Sequence, residues 1–218
     1  MPNYSEEQYL TKKAEIMEKC YECFAENGLH GTGIRTLASY CGFNHAIFYT
    51  YFKDLDDLII QSTAHCMSKV ENDFMEKAPE NLSELEEFIR NIPYWTAERH
   101  GKKYRLMYQV YTHPKYREYG MEFFQGVNRR YLEYAGQLEQ KLGIPADILC
   151  PMIFIFIRAC VHFALFEDEY YLQMQLRVLK MSIEMYLGRP EQSRITADSI
   201  RTITSSAIVE GMQNGHTV

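Results

Sequence analysis

Three features of the 218-residue sequence predict an all-α fold. Apolar residues recur at helical spacing in most segments, as at Ile16, Cys20, Cys23 and Phe24. Glycines stand where those segments should end, at Gly28, Gly42, Gly143 and Gly188. No segment alternates convincingly as a strand, and neither repeats nor low-complexity runs occur. The expected architecture is a small three-helix N-terminal domain over residues 1–54 and a larger helical domain over 55–218.

A 46% hydrophobic composition is that of an ordinary globular chain. The net charge of −6 argues against indiscriminate nucleic-acid binding, while leaving room for specific binding through one locally positive face. The opening MPNYSEEQYL is polar and acidic, unlike a signal peptide. The longest uninterrupted apolar run, Met152 to Ile157, is well short of the ~20 residues that span a bilayer. The expected setting is the cytoplasm, without a membrane partner and with the six cysteines as reduced thiols.

The first helix should run from Glu6 to Asn27, with most of its acidic residues facing solvent and Gly28 as its cap. Cys20 and Cys23 form C-x-x-C within it, the spacing of a redox or zinc half-site. No second pair completes such a site, and both cysteines fall on the apolar stripe, so core packing is the expected role. No metal site is expected.

The stretch Ile34–Phe52 reads as two short helices joined by a tight turn. Leu37, Ala38 and Cys41 form the apolar stripe of the first, and Gly42 ends it. Asn44 is placed to cap the second, whose inward residues are Phe48 and Tyr51. A small residue four positions before the glycine lets the helices cross closely, as in a DNA-binding helix-turn-helix. A plain helical hairpin would share the punctuation. It would not account for an outward face of His45, Ala46, Tyr49 and Thr50, or for the absence of Asp and Glu between Glu26 and Asp54 while Arg35 and Lys53 are present.

These residues carry a resemblance. The segment around Ile16, Phe24, Gly28, Thr32-Gly33-Ile34, Leu37-Ala38, Gly42 and Phe48-Tyr49-Thr50-Tyr51-Phe52 resembles the N-terminal domain of the TetR family of bacterial transcriptional repressors. The resemblance covers about a quarter of the chain and implies a homodimer bound to a palindromic operator on double-stranded DNA. It places Thr32, Gly33, Arg35, Thr36, Asn44, His45, Ala46, Tyr49, Thr50 and Lys53 at the DNA. Arg35 and His45 are the expected base readers, and Thr32, Tyr49, Thr50 and Lys53 the backbone contacts. Two positions depart from the family pattern. Leu55 stands where a lysine is usual, and Ala46 replaces the glycine common in the recognition helix.

Beyond the motif, Asp54 should cap a helix from Leu55 to about Lys77, with Pro79 closing it. Asn81 and Glu84 form a capping box for the next helix, which Pro93 should kink or end. An aromatic zone follows, stopped by His113-Pro114, then a helix from about Lys115 to Leu142. Ala146 to Glu167 is apolar almost all round, and such a helix needs cover on every side. Helices from Glu169 to Leu187 and from Ala197 to Gly211 complete the expectation.

The apolar helix fits either the centre of a monomeric bundle or a dimer interface; the resemblance favours the second. The aromatic zone fits either plain core or a pocket for a planar or lipophilic inducer, with Trp95, Tyr104, Tyr108, Tyr111, Phe124, Arg158 and His162 as candidates. Arg158, read as buried, needs an anion: Glu167, Asp168, a carboxylate across the dimer, or an acidic group on a ligand. Cys160 and His162 are the nearest approach to an enzyme's nucleophile and base, and no further ligand pair accompanies them. A helical protein-interaction adaptor is the other reading. The overall expectation is a ligand-responsive DNA-binding regulator, not an enzyme and without a cofactor.

Overall fold

The computed structural model describes residues 5–188, and the helix expected over Ala197–Gly211 lies outside them. The backbone divides into two compact units, Met1–Leu176 and Arg177–Val218. Among the described residues all regular structure is helical: α1 (Glu6–Asn27), α2 (Ile34–Cys41), a 3-10 turn (His45–Ile47) running into α3 (Phe48–Tyr51), α4 (Leu55–Met75), α5 (Leu82–Thr112), a 3-10 turn (Pro114–Tyr116), α6 (Arg117–Leu142), α7 (Ala146–Phe166) and α8 (Glu169–Tyr186).

Local chemistry sets these boundaries. Ser5 and Gln8 close a capping box at the start of α1, and the Gly28 N–H donates to the Phe24 carbonyl at its end. Gly42 and Gly143 adopt the left-handed conformation that ends α2 and α6. The Asp54 carboxylate accepts from the Asp57 N–H, and Asn81 Oδ1 accepts from the Ser83 and Glu84 N–H groups. The capping box expected there is not fully reciprocal: the Glu84 carboxylate accepts from the Glu80 N–H and the Asn81 side chain instead.

Pro93 neither ends nor divides its segment, and α5 runs through it for 31 residues. Proline removes one helical hydrogen bond, but Ile92, Pro93 and Thr96 are buried here, and packing on both sides carries the helix past the break.

One apolar core joins the N-terminal helices to the rest of the first unit. Ile16, Cys20, Cys23 and Phe24 of α1 meet Leu37 and Cys41 of α2, Phe48 of α3, Leu58 and Met67 of α4, Met107 and Val110 of α5, and Val161 of α7. Cys20 and Cys23 are fully buried, with Cys20 Sγ 3.9 Å from Cys41 Sγ, which fits the core-packing reading. All six cysteines are free thiols. α7 packs against both α5 and α6. At 21 residues and a mean hydropathy of 2.2, α7 is long and apolar enough to cross a membrane, a length that the shorter uninterrupted run in the sequence understated.

Candidate functional site

The turn between α2 and α3 presents a small exposed surface on a rigid base. Phe48, Tyr51 and Phe52 are buried, and Tyr51 stacks on Tyr9 of α1 with ring centroids 4.7 Å apart. With those aromatics fixed inward, helical geometry sends His45, Ala46, Tyr49 and Thr50 to solvent, Tyr49 with 61% of its surface exposed. Asn44 Oδ1 accepts from the Ala46 N–H at 2.9 Å, which fixes the first turn of this segment. The recognition segment therefore begins as a 3-10 turn, whose tighter winding brings His45 and Ala46 to its leading edge.

Gly33 caps α2, and Arg35 and Thr36 stand exposed in its first turn. Lys53 is exposed as well; its backbone N–H donates to Asp57 Oδ2 at 2.9 Å. Among the described residues neither Arg35 nor Lys53 forms a direct ion pair; both are exposed, and Lys53 lies near enough to Asp57 to help hold that carboxylate's pKa down. Leu55, at the position of the usual lysine, is half-buried against the core.

Thr32 departs from its expected role. Its residue is 4% exposed and its hydroxyl donates to the Gly28 carbonyl at 2.7 Å, so it braces the α1–α2 loop and is turned away from any phosphate.

Deeper in the first unit, α4, α5, α6 and α7 surround a cavity of about 80 Å³. Of the residues singled out in the sequence, Tyr104, Tyr108, Phe124 and Arg158 line it; Met67, Glu71, Met107, Phe123, Tyr131 and Phe154 are among its further walls. Trp95, Tyr111 and His162 do not line it. Trp95 stands edge-on to His100, and Tyr111 is buried behind Phe123 and Phe124 with ring centroids at 5.3 and 6.0 Å. His162 opens instead onto an adjoining cleft of about 590 Å³, together with Tyr108 and Arg158, which line both spaces.

Arg158 is exposed, not buried, and it donates to the Tyr108 hydroxyl rather than to Glu167 or Asp168. Asp168 Oδ2 lies 3.5 Å from His162 Nε2. Glu71 was not anticipated. It is a buried carboxylate paired with Arg130, and burial holds its pKa above the usual carboxylate range, with Arg130 pulling the other way. A single acid among Met67, Val70 and Phe74 was the available signal. Burial pushes the Tyr104 hydroxyl well up and the Cys160 thiol likewise, so Cys160 is no ready thiolate. Among the described residues no group of three or more His, Cys, Asp or Glu could hold a metal ion.

A capped helix-turn-helix with an outward cationic edge defines the class: a DNA-binding regulator. Residues 16–61 match the family of bacterial regulatory proteins, tetR family, so this stretch carries a TetR-type DNA-binding domain. No curated protein matches the sequence. Among solved structures, the fold is similar to the fatty acid degradation regulator FadR from Bacillus halodurans, at 16% identity over 80% of this chain and 94% of that one, TM-score 0.53. It is similar to FadR from Bacillus subtilis in complex with stearoyl-CoA, at 19% identity over 77% and 96%, TM-score 0.51. It is also similar to the multidrug binding protein EbrR complexed with imidazole, at 17% identity over 78% and 94%, TM-score 0.51.

Proposed function

We propose that the chain is a homodimeric cytoplasmic repressor that leaves a palindromic operator when a small lipophilic molecule enters the cavity among α4–α7. Residues 1–54 form the reading head and residues 55–218 the ligand-binding and dimerisation part. The carrying observation is the pairing of an exposed cationic edge, with Arg35 and Lys53 outside any direct ion pair, with a lined cavity in the same compact unit. The FadR structure from Bacillus subtilis in complex with stearoyl-CoA and the EbrR structure complexed with imidazole support a ligand for a fold of this kind.

His45 and Arg35 read base edges, Tyr49, Thr50 and Lys53 hold phosphates, and Gly33, Thr36, Asn44 and Ala46 shape the contact. Two heads must meet major grooves about 34–36 Å apart, or a multiple of that, so a ligand that favours a differently spaced dimer lowers operator affinity. A contact route joins cavity and head. Phe123 and Phe124 pack on Tyr111, and beyond α5 the turn residues Lys115 and Tyr116 both hydrogen-bond the Asp56 carboxylate in the first turn of α4.

Selection of bound fragments from a random DNA pool tests the assignment. The expected outcome is an enriched palindrome, with His45→Ala relaxing preference at one base pair in each half-site by about 1–3 kcal/mol. Enrichment of no sequence would count against the reading head.

A further inference from the structure

The cleft beside the cavity has a charge pattern that specifies what enters. Arg105 and Arg158 both line it, and no aspartate or glutamate does. Arg158 is the one charged residue between Asp147 and Glu167 of the sequence, in the most apolar helix of the described chain. Its guanidinium donates to the Tyr108 hydroxyl, and that of Arg105 donates to the Ala164 carbonyl at 3.3 Å. Among the described residues neither reaches a carboxylate at ion-pair distance. Each planar group carries five N–H donors, so most of that capacity is uncommitted.

Glu22, Glu26 and Glu98 share a neighbouring pocket with Arg105, none of them at ion-pair distance from it, and the acids nearer Arg158 are engaged elsewhere. Asp168 sits by His162, which is itself held against Phe166 and Tyr171 at the cleft rim, and accepts from the Tyr171 N–H. At the other end of the space, Glu71 is paired with Arg130 and lines the cavity wall. A concave surface with two like charges and apolar walls focuses potential and favours an anion over water.

We propose that the molecule bound here is an anionic amphiphile, with its apolar segment in the cavity and its acidic group held by Arg158 and Arg105 in the cleft. This rests on the reading of the cavity as a ligand site and adds the class and direction of the ligand. The cavity, at about 80 Å³, takes the end of a short chain as it stands. Met67 and Met107 in its wall are unbranched and can repack around a longer one. The acidic group is a carboxylate or a phosphate, since a guanidinium pairs bidentately with either.

Isothermal titration of the full chain with octanoate, octyl phosphate, octanamide and octylamine tests the proposal. At least one of the two anions should bind about tenfold or more tightly than the amide and the amine, and which anion does so identifies the acidic group. Arg158→Gln and Arg105→Gln should each weaken the anion about tenfold and leave the amide unchanged, with Arg158→Lys recovering part of the loss. Arg158 is exposed, so its loss leaves the fold intact, which an unchanged melting temperature would verify. Equal binding of amide and anion, or indifference to both arginine variants, would overturn the ligand class while the cavity reading stands. Binding of none of the four would overturn both.

Discussion

Thr32 separates what a residue type suggests from what its geometry permits. A threonine at a helix entry suits a phosphate, yet its buried hydroxyl is committed to the Gly28 carbonyl. Thr32→Val keeps the shape and removes that donor. It should cost about 1 kcal/mol in urea unfolding and leave the salt dependence of DNA binding unchanged. The outward residues His45, Tyr49 and Thr50 were legible because Phe48 and Tyr51 fix the helical phase around them. Arg158 was not, since periodicity assigns a face and gives no measure of how fully neighbouring helices cover it. His100 was overlooked as well. It is 1% exposed, and neither ring nitrogen has a hydrogen-bond partner among the described residues. Burial, with the nearby Lys103 and Arg99 cations, holds its pKa down to about 4 against the pull of Asp73. The unfolded chain, with an ordinary histidine pKa near ~6.5, takes up a proton first as pH falls. Stability from this site is therefore full above ~6.5 and is lost progressively toward about 4, by up to ~3 kcal/mol. Melting temperatures from pH 7 to 5 should fall for the native protein and fall less for His100→Gln.

At the scale of elements, helix ends were the most readable part of the sequence. Gly28, Gly42, Asp54, Asn81 and Gly143 all cap where their chemistry places them. Pro93 does not end α5 because its local cost is outweighed by tertiary packing, which no window of sequence contains. The approach of α6 to the end of α5 was equally hidden. A Cβ on Gly120 would lie 2.7 Å from Tyr111 Cβ, a contact between two rigid positions. Gly120→Ala should force α6 away from α5 and cost about 1–3 kcal/mol, read as a lower urea midpoint at an unchanged slope. The same pair of helices carries the Lys115 and Tyr116 contacts to Asp56. Tyr116→Phe should therefore weaken the coupling between cavity and reading head, seen as a smaller effect of bound ligand on operator affinity, with ligand binding itself preserved.

For the whole molecule, a net charge of −6 and a cationic reading edge act together. The acidic body disfavours non-specific association with DNA, so the proposed binding rests on the short segment where Arg35 and Lys53 stand exposed. That division was visible in the sequence as a gap in acidic residues. The cavity was visible only as an excess of aromatics, because four helices contribute its walls and sequence order does not reveal which faces meet. Fluorescence anisotropy on the DNA flanking its own gene tests whether the Ile34–Phe52 face binds a palindromic site as a dimer. Titrations across about 50–200 mM salt should show affinity falling linearly on logarithmic axes, with Lys53→Gln lowering the slope by about one per protomer. Equal affinity for scrambled DNA, or a slope unmoved by Lys53→Gln and Arg35→Gln together, would contradict it.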